Sequence, residues 1–223
     1  MIVAERKPIS EILAMIAGYD RVLLLGCRGC VTVCSAGGER EGEILASLLR
    51  LGRNKEGRQI AITEATLVRQ CDKEYIDGLE QWEGQHDAIL SMACGVGVNF
   101  IANLCPTTPV YPAVNTSFLG GSAEQGIWTE QCAGCGNCIL HLTGGLCPMA
   151  RCAKNLMNGP CGGSVGGRCE IRQDVACIWQ SIHDRLERLG RKEQMLAMAP
   201  IRDWSSAGHG GPRKVIRDDL TIA

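Results

Sequence analysis

With 223 residues, 45% of them hydrophobic, the chain is long enough for one or two packed domains. Its net charge of −1 and 4% aromatic content leave no basic stripe for a phosphate backbone and few stacking platforms, which excludes nucleic acid as a partner. The apolar runs at residues 22–25 and 88–93 are too short to span a bilayer, and 14 cysteines without an export signal point to metal ligation in the cytoplasm rather than to disulfides.

In the first half, Ile9, Ile12, Leu13 and Ile16 fall at helical spacing, predicting a helix over residues 9–17 with Ser10 as its cap and Gly18 as its stop. Residues 21–26 (RVLLLG) are a continuous apolar run, expected as a strand buried on both faces of a parallel sheet. A loop carrying Cys27, Cys30 and Cys34 follows, and then a helix over about 39–51 with glutamates at its positive end. The unit recurs. A second β segment, 59–63 with 66–68, leads to Cys71 and a helix over 73–82; a third strand, 87–92, runs into Cys94 and a helix over 98–104 that ends at Cys105; a fourth strand follows at 110–114. Alternating β and α segments with short links predict an α/β domain over residues 1–120, a Rossmann-like or flavodoxin-like parallel sheet with right-handed crossovers.

In such a sheet Cys27, Cys30, Cys34, Cys71 and Cys94 all follow strands and gather at the carboxyl edge, where open α/β folds place ligands. Cys105 lies a helix length away, about 15 Å at 1.5 Å per residue, and is expected as a buried structural thiol. Four of the five edge cysteines make one site. Cys27, Cys30, Cys71 and Cys94 are favoured, Cys34 competes for a place in the first loop, and plain core thiols are the alternative. The C-x2-C-x3-C order here reverses that of radical enzymes that cleave S-adenosylmethionine. The Gly-Val-Gly at 95–97 follows the third strand and lacks a third glycine, so it is not a dinucleotide fingerprint.

Residues 120–126 read as a hinge into a small cysteine-rich domain, 121–199, followed by a tail, 200–223. That domain opens with Cys132-x2-Cys135-x2-Cys138, and eight residues later comes Cys147 followed by Pro148. Three thiolates at two-residue intervals wrap one face of a cubane and a fourth closes it, so the pattern predicts a [4Fe–4S] site over a zinc ribbon, which uses paired knuckles. Cys152, Cys161, Cys169 and Cys177 form a further all-sulfur set. Zinc is favoured there over a second cluster of this domain, because widely spaced ligands tie loops together as a structural metal does. A C-terminal helix is predicted from 174 to about 198, with Val175, Ile178, Ile182, Leu186 and Leu189 inward; the tail has little periodicity and either wraps a partner or is loosely ordered. His86, His141, His183 and His209 show no ligand spacing, and no paired carboxylates, Ser-His-Asp set or phosphate loop occurs. Metal centres without a substrate pocket leave electron transfer as the function these residues support.

Residues 26–34 (GCRGCVTVC), 69–71 (RQC), 93–97 (ACGVG), 147–152 (CPMARC) and 158–163 (NGPCGG), with Cys169 before Glu170, carry a resemblance. The chain resembles the MetV-type family, the small iron–sulfur and zinc subunit of methylenetetrahydrofolate reductase in acetogens and related anaerobes. The resemblance implies a non-catalytic subunit that partners a separate flavin-bearing TIM barrel, which reduces 5,10-methylenetetrahydrofolate in the Wood–Ljungdahl pathway. This chain would pass electrons to that flavin or dock the reductase onto a larger electron-transfer complex. Two [4Fe–4S] clusters and one zinc are expected from the three cysteine sets. Folate and flavin leave no signature in these residues. The competing readings are a zinc-braced scaffold without redox chemistry, and an electron-transfer subunit of a hydrogenase-like or heterodisulfide-reductase-like complex.

Overall fold

The computed structural model describes all residues except 83, 200, 209–210, 218 and 220–223, so His209 lies outside the described residues. The elements in chain order are β1 (Ile2–Arg6), α1 (Ile9–Met15), β2 (Arg21–Cys27), α2 (Cys30–Val33), α3 (Glu39–Lys55), β3 (Ala61–Leu67), β4 (Ala88–Ser91), α4 (Gly95–Leu104), β5 (Val110–Pro112), β6 (Val114–Glu124), β7 (Ile127–Cys132), α5 (Pro148–Arg151) and α6 (Ile178–Arg188). The chain divides into two compact units, Met1–Thr129 and Glu130–Ala223.

The first unit is mixed α/β and is built on a parallel sheet of order β3-β2-β4-β5. The apolar run of β2 takes an inner place because its side chains alternate between two covered faces. Val22 and Leu24 pack with Ile12 and Ile16 of the first helical segment and with Leu45 and Leu49 of α3. Leu23 and Leu25 pack on the opposite face with Ile89, Ile101, Ile76 and Leu79. At the amino end of the sheet, Arg21 Nε and Nη2 donate to Asp87 Oδ1 at 3.1 and 2.7 Å, and the bonded guanidinium holds the Asp87 carboxyl below its ordinary range.

Several elements differ from their sequence expectation for local reasons. α1 starts beside Pro8 with no side-chain cap, so Ser10 lies inside the helix. The two expected β pieces near residue 60 are one strand, β3, held in register along the whole of β2. The helix expected over 73–82 is two 3-10 turns, Lys73–Tyr75 and Leu79–Trp82, because Gly78 between them takes φ +90. α4 begins three residues earlier than expected, directly after Cys94. Residues 120–126 are the end of β6 and a tight turn at Gly126, φ +80, rather than a hinge. A second sheet, β1-β6-β7, was not expected at all; in it β1 pairs antiparallel with β6.

The second unit has little regular structure. Its buried apolar core is Ile178, Trp179, Ile182 and Leu186 on one face of α6, with Leu146, Leu156 and Met195 against it. α6 is shorter than the 174–198 expectation because Cys177 stands at its N-cap and Gly190, φ +66, lies just past its end. Val175 and Leu189, expected inward, are consequently exposed. Among the described residues no helix is long and apolar enough to cross a membrane.

Candidate metal centres

The carboxyl ends of β2, β3 and β4 set the first cysteine group. Cys27 ends β2, Cys71 lies four residues past β3, and Cys94 is the N-cap of α4, whose positive end favours a thiolate. Cys30 opens α2 after Gly29, a position where an added Cβ would already touch Cys27 Sγ at 3.4 Å. Burial first, and then the neighbouring sulfurs of Cys94, Cys27 and Cys30, push the Cys71 thiol above its ordinary pKa. Four cysteine sulfurs along one sheet edge are the kind of donor set that a metal centre takes. Cys34 is engaged elsewhere: its thiol lies 3.6 Å from the carbonyl oxygens of Ala4 and Val31 and accepts from the Ala4 amide at 3.5 Å. Cys105 closes the far end of α4 and is buried among Leu23, Leu25 and Ile89.

Gln70 organises this edge. Its side chain is fully buried; Nε2 donates to the Leu25 and Gly26 carbonyls at 2.8 and 2.9 Å, and Oε1 accepts from Ser91 Oγ at 2.6 Å. Ser91 Oγ also accepts from the Ala93 amide at 3.2 Å, so one network links the chain segments that lead into Cys27, Cys71 and Cys94. Sequence reading missed Gln70. Its only signal there is its place directly before Cys71.

In the second unit, Cys132, Cys135, Cys138 and Cys147 line one cavity of about 210 Å³ together with Ile139, Leu140 and Arg202. The Gly134 amide donates to Cys132 Sγ at 3.4 Å, and Arg202 Nη2 donates to Cys135 Sγ at 2.8 Å. Cys152, Cys161, Cys169 and Cys177 line a separate cavity of about 20 Å³ with Lys154, Glu170 and Trp179. There the Gly163 amide donates to Cys161 Sγ at 3.4 Å, the Cys161 thiol donates to Glu170 Oε2 at 3.5 Å, and Lys154 Nζ donates to Glu170 Oε1 at 2.7 Å. Lys154 holds the Glu170 carboxyl below its ordinary range and is itself raised by it. As placed, no three Cys, His, Asp or Glu side chains among the described residues converge closely enough to hold a bare ion. His141 and His183 lie in other surroundings; His183 Nδ1 is 3.1 Å from Asp184 Oδ1.

Residues 111–205 match the family model described as methylene-tetrahydrofolate reductase C terminal. That match spans both cysteine groups of the second unit and Arg202. No curated protein and no solved structure matches the chain.

Proposed function

We propose that the chain is the iron–sulfur electron-transfer and docking subunit of a methylenetetrahydrofolate reductase, partnering a separate flavin-bearing catalytic subunit in the Wood–Ljungdahl pathway. The observation that carries this reading is the sorting of 12 of the 14 cysteines into three sets of four, each set drawn from its own stretch of fold. The methylene-tetrahydrofolate reductase match supports the choice of partner. The sheet order β3-β2-β4-β5 supports the flavodoxin-like reading, in which a ligand sits outside the strand ends where the order reverses, between β2 and β4.

In donor chemistry, four thiols to a set, the residues suit the groups assigned to them. A cavity of about 210 Å³ walled by four thiols and a cationic side chain suits a four-thiolate cluster at Cys132, Cys135, Cys138 and Cys147. A water-sized guest needs roughly 10–15 Å³ by the same measure, so about 20 Å³ suits a single ion, zinc, at Cys152, Cys161, Cys169 and Cys177. Cys27, Cys30, Cys71 and Cys94 make the second cluster site, and Cys34 is left to the backbone of β1. When bound, [4Fe–4S] clusters supply one-electron carriers, which divide a flavin's two-electron chemistry into single steps. The chain's own residues stabilise charge on the sulfurs through the Gly134 amide, the N-terminus of α4 and Arg202. Cys71, Cys132 and Cys138 are exposed, which keeps the edge of each site at the surface where a partner docks.

Counting iron, zinc and acid-labile sulfide in anaerobically purified protein tests this. About eight irons, eight sulfides and one zinc are expected per chain. Zinc without iron would sink the electron-transfer reading and leave a braced scaffold; a full iron count with co-purification of a hydrogenase in place of a folate reductase would move the chain to another redox complex.

A further inference from the structure

Arg202 lies in a stretch with little periodicity, yet its side chain reaches into the cavity walled by Cys132, Cys135, Cys138 and Cys147. Nη2 donates to Cys135 Sγ at 2.8 Å and also to the Asn137 carbonyl, and the guanidinium lies 4.8 Å from the Trp204 ring centroid. Its Nε and Nη1 are buried and have no hydrogen-bond partner among the described residues. A guanidinium is always charged, and a buried one with N–H groups left over is costly unless an anion faces it. The backbone after Arg202 is fastened to the same loop. Ser206 Oγ donates to the Cys135 carbonyl at 3.3 Å, and Arg213 Nη1 donates to the carbonyls of Gly134 and Ser206 at 2.7 and 2.9 Å. Gly136, φ +79, leaves room for this strap, because a Cβ there would meet Ser206 O at 2.3 Å. Where the sequence predicts a loose tail or one that wraps a partner, Arg202, Ser206 and Arg213 fasten to the loop that carries Cys132, Cys135 and Cys138.

We propose that Arg202 is the charge partner of the site formed by these four cysteines and holds its reduction potential up. The inference rests on a cluster being bound there, as proposed above. With a cluster held by these cysteines, each electron from a low-potential reductant would add one negative charge to the site, with no bond made or broken and no proton moved. A fixed positive charge beside Cys135 Sγ would stabilise the reduced form more than the oxidised one. Arg202 is therefore a positioning and potential-setting residue, not a catalytic one.

The test is an electron paramagnetic resonance titration with dithionite on full-length, anaerobically loaded protein: wild type, Arg202→Gln, which removes the charge and keeps a donor, and Arg202→Lys, which keeps the charge. The expected result is one cluster signal shifted to a more negative potential in the Gln variant, near its wild-type potential in the Lys variant, with the strand-end cluster unmoved in both. Loss of iron from this site in Arg202→Gln but not in Arg202→Lys also supports the charge partnership. A fully loaded Gln variant at the wild-type potential would overturn it, as would loss of the cluster from both variants, which would make Arg202 a packing group. Wild-type protein without iron at this site would instead fail the cluster reading itself, and the iron count distinguishes the two failures.

Discussion

Gln70 has every side-chain polar atom committed to the strand ends and no access to solvent. Replacing it by leucine keeps the volume roughly constant but takes the Gln70 bond from the Gly26 carbonyl and the Ser91 hydroxyl in a buried place, while the Leu25 carbonyl keeps the Met92 amide at 2.9 Å. Each such loss costs about 1–3 kcal/mol, so Gln70→Leu is expected to lower the denaturant midpoint and the iron content of the strand-end site together. Wild-type iron content in a destabilised variant would reduce Gln70 to a packing residue. The thiols around it were legible in sequence because cysteine after a strand has few roles. Gln70 was not, because a glutamine becomes informative only when three backbone segments separated by tens of residues are seen to meet on it. Cys34 shows the opposite limit: spacing made it a competitor for either place in the first loop, and its contact with β1, an element absent from the sequence reading, sets it apart from Cys27 and Cys30.

α4 shows what one helical turn changes at the scale of an element. Beginning at Gly95, it makes Cys94 the N-cap, and Gly95 and Gly97, expected to serve a loop, lie in its first turn. The two glycines differ in their surroundings. An added Cβ at Gly97 would fall 2.6 Å from Ala93 Cβ and 2.9 Å from Gln70 Cβ, whereas at Gly95 the nearest atom is Thr116 Oγ1 at an ordinary 3.6 Å. Gly97→Ala is expected to push the helix off the Gln70 network and cost about 1–3 kcal/mol. Gly95→Ala, compatible in space and in φ, is expected to leave stability unchanged or raise it by about 0.4–1 kcal/mol. Chemical denaturation of both variants checks the pair, and equal effects would refute this account of the helix seat. β2 and β4 were legible because continuous apolar runs that lead into cysteine have one plain meaning. β1, β6 and β7 were not, since they are short or carry glycines and polar residues, and their pairing joins the start of the chain to residues 114–119.

At the scale of the molecule, the two units are held by different means. The first buries three apolar clusters against its sheets, enough to keep a small α/β domain folded by the usual hydrophobic term. The second has one buried apolar cluster, four side chains of α6, and consists largely of glycine-rich loops with many positive-φ turns between Gly134 and Gly190. Ordering each residue costs about 1–2 kcal/mol, and so small a core cannot offset that for loops of this length. Eight of the 14 cysteines stand in this unit, and the metals proposed for them would supply folding free energy outright. Stripping metal from the protein with an oxidant and a chelator is therefore expected to abolish hydrogen-exchange protection in the Cys132–Cys177 loops and in α6, while the amides of β2 and β4 remain protected. Readdition of zinc alone should restore α6, whose N-cap is Cys177 and whose Trp179 Nε1 donates to the Leu156 carbonyl beside the same site, and should leave the Cys132–Cys138 loop open until iron and sulfide return. Unchanged protection throughout the second unit after metal removal would mean that its loops hold themselves, and the cysteines would then need another explanation.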